Sequence, residues 1–426
     1  MTDMNLYVLS ASTGITYEAL LVLALILLFG MYAGRWFEKI KLPHITGYIV
    51  MGVIVGLILV VLGLGEDVEH LTIVSSVALG FIAFGIGTEL EFGKLKKSGK
   101  EVVVITIIQA LTASIFTIIG VLIFGASLPI ALVLGAVATA TAPAPIMLLT
   151  RKYKARGPLT DILLPLVGMD DAVGIVLFGV MLSIANSINT GADVSVLEML
   201  EGPFIELIAS AIVGLVIGLL AAFLIRTIQN KDSQKEEMFL GVSVFAVFSA
   251  VALSKLGFHI GELPIHLSPI LTPMIMGVAL TNKLDRVRAH DVNLTVESFS
   301  APILIAFFTL AGAELVVAFA ENSHVNYGSI IGITAVYIIF RIFGKMGGAY
   351  LGAKLMGSHR SVTRYLGLCL LPQAGVALGM AYQAKSDFGE DGITILIVVL
   401  IATLIYELFG PIGVKYSLDA SNEIRA

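Results

Sequence analysis

The sequence predicts an all-α polytopic membrane protein with 13 transmembrane helices, and three observations lead to this fold class. Hydrophobic residues make up 57% of the 426 residues and charged residues only 13%, whereas a soluble domain carries roughly 25% charged residues. Apolar runs of about 20 residues, each long enough to span a bilayer as a helix, recur along the whole chain. Positive charges collect in alternate connections between these runs. No sizeable soluble domain is expected, and no basic patch suggests a nucleic acid partner.

Each predicted helix follows one apolar run and ends where charged or turn-forming residues begin. The fifth and twelfth runs are interrupted by proline and glycine, and the seventh stands between two groups of six. The predicted ranges, in chain order, are 17–37, 43–64, 71–90, 101–124, 127–150, 160–187, 203–228, 237–255, 264–281, 299–319, 328–354, 361–384 and 391–414.

The charges in the connections predict the orientation. Lysine and arginine fill the first, third and fifth connections (35–41, 94–100 and 151–156), whereas acidic residues fill the second and sixth (66–69 and 193–201). The positive-inside rule places the basic side in the cytoplasm, so we expect the N-terminus outside and the C-terminus inside the cytoplasmic (plasma) membrane. The first residues lack the basic region of a signal peptide, so no cleaved leader is expected.

Two short strings recur at the same offset and indicate an internal repeat. MGV occurs at Met51–Val53 and Met276–Val278, and GTEL at Gly87–Leu90 is echoed by GAEL at Gly312–Leu315. This offset pairs the second helix with the ninth and the third with the tenth. The chain would then consist of six helices, a linker helix (203–228) and six more. One linker helix inverts the second half relative to the first, which is a common transporter architecture.

Interrupted helices at corresponding positions of the two halves mark the expected binding site. TATAPAP (Thr139–Pro145) lies in the fifth helix and LPQAGVALG (Leu371–Gly379) in the twelfth. Proline removes an amide donor, and broken backbone at membrane depth is tolerated only where it is buried or lines a wet cavity. An ordinary proline kink is the alternative for either helix alone, but the symmetric placement favours functional breaks in both helices.

GMDDAVGI (Gly168–Ile175) places two adjacent carboxylates, Asp170 and Asp171, inside an apolar helix. Asp170 lies about 15 Å from the cytoplasmic start of its helix, and Lys345 lies roughly 14 Å from the cytoplasmic end of its own. This shared depth predicts an ion pair, because a buried charge without a partner is costly. The pair could be static and pin two helices, or it could belong to a functional site, as intramembrane ionisable groups usually do.

Two adjacent carboxylates in a low dielectric resist double ionisation, so such a site can hold a proton or exchange it for a cation. Hard cations prefer oxygen ligands. The carboxylates, the freed carbonyls of TATAPAP and the hydroxyls of Thr139 and Thr141 could supply them, although threonine hydroxyls commonly bond back to their own helix. Arg341 could hold carbonyls or a carboxylate, Gln373 a freed backbone group, and Glu314 could line an outer funnel. The possible accessory residues are Arg341, Gln373, Glu407 and Glu314.

GMDDAVGI, the two broken helices and RIFGKMGGAYLGA together resemble the second branch of the cation:proton antiporter superfamily, the bacterial sodium/proton and potassium-efflux antiporters. LPHITGYIVMGVIVG (Leu42–Gly56) also resembles the second helix of that family. The resemblance implies the sodium/proton antiporter fold, a homodimer and elevator-type alternating access. It assigns 17–90 and 237–319 to a dimerisation and scaffold domain, and 101–187 and 328–414 to an ion-transporting core.

The resemblance also implies that Asp171 is the principal carboxylate for cation and proton, with Asp170 as its partner engaging Lys345. Na⁺ would bind at both aspartates. In this family an aspartate pair with a membrane lysine accompanies electrogenic exchange. The expected activity is Na⁺ (or Li⁺)/H⁺ exchange serving pH homeostasis, with no cofactor besides the transported ions.

The sequence departs from the family at three positions. Gln373 and Ala374 stand where many relatives carry an arginine and an acid, and Ala142 stands where serine is frequent. K⁺/H⁺ exchange therefore stays open as an alternative. The chain ends at Ala426 shortly after the last predicted helix, so no appended nucleotide-binding domain is expected, whereas a separate regulatory subunit stays open.

Two other functional classes fit the sequence less well than transport. An intramembrane aspartyl hydrolase needs two carboxylates that share a proton, but the side chains of adjacent helical residues diverge by about 100°. A symmetric dyad would therefore need a further acid. An ion channel would need a polar pore lining or filter, and the sequence contains no such strip. The prediction is therefore a transporter rather than an enzyme.

Overall fold

A computed structural model describes residues 17–39, 43–63, 71–189, 196–228, 235–256, 258–260, 263–265, 267–321 and 327–425. The N-terminal segment and the acidic connections at 66–69 and 193–195 lie outside these residues. The described elements are α1 (Tyr17–Lys39), α2 (His44–Val61), α3 (Thr72–Glu89), α4 (Phe92–Ile123), α5 (Leu128–Val137), α6 (Pro143–Lys152), α7 (Pro158–Asn189), α8 (Val196–Thr227), α9 (Lys235–Leu256), β1 (Phe258–Ile260), β2 (Leu263–Ile265), α10 (Leu271–Lys283), α11 (Arg286–Glu321), α12 (Tyr327–Leu355), α13 (Arg360–Cys369) and α14 (Gly375–Ala420).

Most of these helices are long and apolar enough to cross a membrane. Within the described part of the chain, nine helical segments meet that condition, and they fall in predicted helices 1, 2, 4, 6, 7, 8, 10, 11 and 13. The other four predicted ranges hold shorter helices, because α5 and α6 divide the fifth range, α13 and the start of α14 divide the twelfth, and α3 and α10 are short. The chain is thus a multi-pass helical membrane protein, while the count of 13 spans stays a prediction.

A short antiparallel hairpin departs from the all-α prediction. Strands β1 and β2 pair with Phe258 opposite Ile265 in the connection between α9 and α10. The run FHI-GE-LPI contains two short segments with apolar ends around a glycine, a pattern typical of a hairpin. The hydropathy pattern missed it because each strand is only three residues long.

The described residues divide into two compact units. The first contains the described parts of Met1–Ala78 and Phe299–Asn326, and the second contains those of Leu79–Ser298 and Tyr327–Ala426. These boundaries differ from the scaffold, linker and core ranges predicted above, and that predicted division stays a prediction.

The first unit packs α2 against the second part of α11 through glycines. A Cβ atom on Gly52 would lie 2.9 Å from the Cα of Gly312, closer than real side chains approach. Small residues allow helix backbones to come this close in a membrane. A buried apolar cluster surrounds this contact, and its members include Ala19, Val22, Ile26, Val55, Leu59, Ala306, Leu310 and Val317.

The second unit contains a matching contact between α3 and α10. A Cβ atom on Gly277 would lie 3.2 Å from the carbonyl carbon of Gly87. Gly52 and Gly277 belong to the two MGV strings, and Gly87 and Gly312 belong to the GTEL and GAEL strings. The glycine of each MGV string therefore packs against the glycine of the other half's recurring string.

In the second unit, α12 packs closely along α4. Three glycines four residues apart, Gly344, Gly348 and Gly352, face α4 on one stripe. Cβ atoms on Gly344 and Gly348 would lie 2.6 Å from the Cα atoms of Ala113 and Gln109, respectively. Successive glycines along α12 contact residues of decreasing number on α4, so the two helices are antiparallel. This packing brings Gln109 beside the turn of α12 that carries Lys345.

The segment after α14 closes the start of α7. Glu423 is buried, and its carboxylate accepts hydrogen bonds from the amides of Leu159 (2.7 Å) and Thr160 (2.8 Å) and from the Thr160 hydroxyl (2.7 Å). The amide of Arg156 also donates to the Glu423 carbonyl at 3.1 Å. The first amides of a helix have no partner within the helix. Glu423 therefore caps the helix of the aspartate pair from a distant part of the chain.

Candidate ion-binding site

Two helices of the second unit are interrupted, and their breaks meet. The first break separates α5 from α6 between Val137 and Pro143, within TATAPAP, and the second separates α13 from α14 between Cys369 and Gly375, within LPQAGVALG. The amide of Ala142 in the first break donates a hydrogen bond of 2.9 Å to the carbonyl of Pro372 in the second. The two non-helical segments are therefore bonded to each other directly.

Arg341 on α12 holds the carbonyl groups that the breaks leave without helical partners. Its fully buried guanidinium donates to the carbonyls of Ala138 (3.0 Å), Ala140 (2.7 Å) and Leu371 (2.9 Å). The same group lies 4.4 Å from the centre of the Tyr406 ring. Arginine suits this position because its planar group presents five donors. Arg341 thus ties both breaks to α12.

Gln373 adds a second link between the breaks. Its side-chain amide donates to the carbonyl of Val137 at 2.9 Å and lies 2.9 Å from the hydroxyl of Tyr337. All three residues belong to the interior of the second unit. Gln373 therefore ties the second break to the end of α5, where the Val137 carbonyl also accepts from the amide of Ala140 at 3.4 Å.

Asp170 is the more constrained of the two aspartates. It is fully buried, and one carboxylate oxygen accepts from the ammonium of Lys345 at 2.7 Å and from the hydroxyl of Thr141. The other oxygen accepts from the side-chain amide of Gln109. Three donors on three different elements therefore engage its two oxygens.

The hydrogen-bonding capacity of Lys345 is fully used in the same way. Its ammonium has three protons and donates to the Asp170 carboxylate, to the Thr141 hydroxyl at 2.9 Å and to the carbonyl of Thr139. The side chain is fully buried. Lys345 thus connects α12 with α7 and with the break between α5 and α6.

Asp171 has unused hydrogen-bonding capacity, in contrast to its neighbour Asp170. It is 3% exposed, and its Oδ1 atom has no hydrogen-bond partner among the described residues. The backbone amide of Thr141 reaches this carboxyl group. One turn further on, a Cβ atom on Gly174 would lie 2.5 Å from the Thr139 hydroxyl. The face of α7 that carries Asp171 therefore lies against the break between α5 and α6.

The remaining predicted site residues have different surroundings. The hydroxyl of Thr139 donates to the carbonyl of Ala136 and so bonds back to its own segment. Glu314 lies in the first unit, on α11. Glu407 on α14 is fully buried. The predicted residues that the second unit brings into one bonded cluster are Asp170, Asp171, Thr139, Thr141, Arg341, Lys345 and Gln373.

Sequence reasoning missed three side chains of this cluster. Gln109 binds Asp170, Tyr337 bonds Gln373, and Tyr406 supports Arg341. A lone amide in the apolar run VVVITIIQALTAS could have pointed to Gln109. The tyrosines gave no such signal, because an aromatic residue in a membrane helix is ordinary core material.

The sequence profile described as "Sodium/hydrogen exchanger, transmembrane" matches residues 23–410. The chain belongs to the sodium/hydrogen exchanger family. Membership places it in the cation:proton antiporter superfamily and among transporters rather than enzymes, so the hydrolase alternative is dropped. The broad activity of this family is the exchange of monovalent cations for protons.

Two curated relatives of this exchanger-family chain have low sequence identity to it, and the similarity extends over most of its length. It is 22% identical over 397 residues to the ammonium/H⁺ antiporter subunit AmhT of Alkalihalophilus pseudofirmus, covering 92% of this chain and 93% of that protein. It is 23% identical over 349 residues to the high-affinity Na⁺/H⁺ antiporter NhaS3 of Synechocystis sp., covering 79% of this chain and 70% of that protein.

A solved exchanger structure has the same fold. The sodium proton antiporter MjNhaP1 of Methanocaldococcus jannaschii superimposes with a TM-score of 0.70 and 20% identity, covering 94% of this chain and 97% of the other. The predicted antiporter fold is thereby supported at the level of overall architecture.

Proposed function

We propose that this chain exchanges Na⁺ (or Li⁺) for H⁺ electrogenically, with Asp171 as the carboxylate that binds either the cation or a proton. The observation that carries the proposal is the unequal state of the two aspartates. Asp170 is fully engaged by Lys345, Thr141 and Gln109, whereas Asp171 keeps a buried oxygen without a partner among the described residues. One carboxylate is therefore structural support, and the other is available to a transported ion.

Exchange follows from what Asp171 can bind. An ionised carboxylate in a buried site is costly unless it is neutralised. Either a proton on Asp171 or a cation beside it removes this cost, but one carboxylate cannot hold both. The empty, charged site faces the highest barrier to crossing, so each passage carries one of the two ions.

Oxygen atoms suitable for a hard cation occur on the residues that bond the aspartate pair. Besides Asp171 itself, the side-chain oxygen of Gln109 is buried without a partner among the described residues. The carbonyls of the break between α5 and α6 add further oxygen atoms, and in the described conformation Arg341 and Lys345 hold those of Ala138, Thr139 and Ala140. Because hard cations prefer oxygen ligands, this donor set supports Na⁺ or Li⁺.

Two other cations are alternatives to Na⁺ and Li⁺ as the transported ion. K⁺ stays an alternative because Ala142 and Gln373 depart from the family pattern. Ammonium is a second alternative, because the relative that covers 92% of this chain is named an ammonium/H⁺ antiporter subunit. That name also supports a separate regulatory subunit as part of the proposal.

The mechanism that we propose is elevator-type alternating access in a homodimer with an inverted repeat. The matching contacts Gly52–Gly312 and Gly87–Gly277 support the repeat, because each joins the MGV glycine of one half to the recurring glycine of the other half. We place the protein in the lipid of the cytoplasmic membrane, with its N-terminus outside and its C-terminus in the cytoplasm. The lysine that pairs with Asp170 supports electrogenic exchange.

Proteoliposomes with an acidic interior test this function. Internal pH is followed while NaCl, LiCl, KCl or NH₄Cl is added outside, with valinomycin and K⁺ clamping the potential in the Na⁺ and Li⁺ runs. We expect Na⁺ and Li⁺ to alkalinise the interior at a rate that depends on the clamped potential. A response to K⁺, or a response to NH₄⁺ beyond that of empty liposomes, would instead assign selectivity to that ion. A wild-type protein that responds to no cation would contradict the proposal.

The first variant to measure is Asp171→Asn, which keeps the size of the side chain and removes its charge. We expect exchange to fall to the level of empty liposomes, because an amide can neither carry the proton nor neutralise a cation. Asp161→Asn is the matched control, since Asp161 lies exposed in the first turn of the same helix, and it should exchange at the wild-type rate. Exchange retained by Asp171→Asn would remove Asp171 from the mechanism.

A further inference from the structure

Glu407 is a buried carboxyl group that the mechanism above leaves unused. It lies on α14, is fully buried, and neither carboxylate oxygen has a hydrogen-bond partner among the described residues. The ion pairs found in the described part of the chain do not include it. A group of this kind is too costly to bury without a role or a bound proton.

The position of Glu407 relates it to the crossing breaks. Thr403, Glu407, Gly410 and Val414 are spaced by four, three and four residues, so they form one stripe along α14. A Cβ atom on Gly410 would lie 2.8 Å from the Cγ atom of Pro372, in the break between α13 and α14. Val414 belongs to the apolar cluster of the second unit. Glu407 therefore lies one turn from the residue that packs against this break.

Thr403 gives Glu407 a polar neighbour. Its hydroxyl is also buried without a partner among the described residues. Residues four apart on a helix have Cβ atoms about 6 Å apart, so a rotamer change brings the hydroxyl within reach of the carboxyl group. The stripe thus contains two adjacent groups with unused hydrogen-bonding capacity in an otherwise apolar environment.

The two buried cations on α12 are already held by other groups. Arg341 on α12 is held by three carbonyls, and Lys345 is held by Asp170. Tyr406 donates to the carbonyl of Ile338 at 2.9 Å. α5 carries no titratable group. Among the side chains that the structure describes, the titratable groups on the other neighbouring elements are Asp161, Asp170 and Asp171 on α7, Tyr337, Arg341, Lys345, Tyr350 and Lys354 on α12, Arg360, Arg364, Tyr365 and Cys369 on α13, and Arg151 and Lys152 on α6.

We propose that Glu407 is a second proton-exchanging carboxyl group of this transporter, neutral in the conformation described here. It releases its proton to solvent when the crossing breaks rearrange around a bound cation, and it takes a proton back on the return step. Only the O–H bond of the carboxyl group breaks and re-forms. This inference rests on the proposed antiport function. One cation exchanged for one proton at Asp171 moves no net charge, so a proton from Glu407 would supply the charge imbalance that electrogenic exchange requires.

Glu407→Gln tests the proposal, because glutamine resembles the neutral carboxyl group and cannot release a proton. In proteoliposomes, the membrane potential at which exchange reverses gives the number of protons moved per cation. We expect Glu407→Gln to exchange with fewer protons per cation and with a flatter pH profile than wild type. Ser417→Ala is the control, since Ser417 is a buried polar residue on the same helix that donates to Gly413, and it should match wild type. An unchanged ratio and pH profile in Glu407→Gln would overturn the proposal.

Infrared difference spectra of the reconstituted protein give a readout that does not need transport. The stretching band of a protonated carboxyl group should respond to pH and to Na⁺ in wild type and in Ser417→Ala, and this component should be missing in Glu407→Gln. If the wild-type protein showed no antiport but still showed the Glu407-dependent band, the proposed function would be contradicted and the proton site would be supported. No loss of band in Glu407→Gln would overturn the site itself. If that variant does not fold, Glu407→Asp should keep a band at a shifted position.

Discussion

At the scale of single residues, the two adjacent aspartates have opposite surroundings. Their shared depth with Lys345 could be predicted from charged residues in apolar runs, and the structure pairs that lysine with Asp170. The sequence alone could not predict why the carboxylate of Asp170 is fully hydrogen-bonded and that of Asp171 is not. This difference depends on Gln109, which α4 delivers through close packing against Gly348. A contact between distant helices leaves no local pattern in either of them.

The ion pair between Asp170 and Lys345 predicts a non-additive response to substitution. Lys345→Met removes one partner of a fully buried pair and should cost about 3–5 kcal/mol, because an uncompensated carboxylate remains. The double variant Asp170→Asn/Lys345→Met should lose less than the sum of the two single variants. Unfolding of the purified protein in detergent measures these differences.

The matched control for this cycle is a more exposed pair of the same protein. Lys235 lies 3.1 Å from Asp291, and their side chains are 30% and 27% exposed. Pairs in contact with solvent contribute about 0–1 kcal/mol, so Lys235→Met should change stability little. Strict additivity at Asp170 and Lys345 would show that the two side chains do not stabilise each other.

At the scale of helices and breaks, proline and glycine gave the positions of both interruptions, and hydropathy gave the spans. The prediction was less accurate where a helix leaves the membrane. α11 begins at Arg286 rather than at 299, and α14 continues to Ala420 rather than ending at 414. These extensions, RVRAHDVNLTVES and KYSLDA, are polar, so an apolar run does not mark them. The donors that satisfy the breaks, such as Arg341, also come from other helices.

The cap that Glu423 provides for α7 can be tested by removing it. Glu423→Ala leaves the first amides of α7 unsatisfied and should lower stability by about 1–2 kcal/mol, the usual effect of losing a helix cap. Glu423→Gln keeps an acceptor oxygen but loses the charge that favours a helix N-terminus, so its midpoint of thermal unfolding should fall between those of wild type and Glu423→Ala.

Asp419→Asn is the control on the same part of the chain, because Asp419 is exposed in the last turn of α14. It should unfold at the wild-type temperature. If Glu423→Ala unfolded there too, the segment after α14 would not stabilise the start of α7.

At the scale of the whole molecule, the fold follows from features that the sequence displays directly. Apolar runs, alternating charge and two short recurring strings predicted a repeated helical transporter. The match to MjNhaP1 supports the overall fold, and the repeat stays a prediction. The division of the described residues into two units was not predicted with these boundaries. Apolar residues that face lipid and those that face another helix look alike in a membrane sequence, because both environments favour the same side chains.

The proposed orientation predicts which introduced cysteines an impermeant thiol reagent reaches in intact cells. The natural chain has one cysteine, Cys369, and it is buried. Ala126→Cys, in the partly exposed turn between α4 and α5, should react from outside. Asp419→Cys should react only after the cells are permeabilised, and the wild-type protein should stay unlabelled under both conditions. Labelling in the reverse pattern would invert the orientation.

The glycine contacts Gly52–Gly312 and Gly87–Gly277 have a consequence for how the protein is made. The surfaces of α2 and α3 that carry these glycines leave the ribosome long before their partners on α11 and α10 exist. At about 5–20 residues per second, the delay lasts roughly 10 to 50 seconds. During that time the newly inserted first half holds close-packing grooves filled only by lipid or by an insertion factor. Translation of the second half therefore completes the packing of the first, and a chain truncated after α8 would leave both grooves open to quality-control proteases.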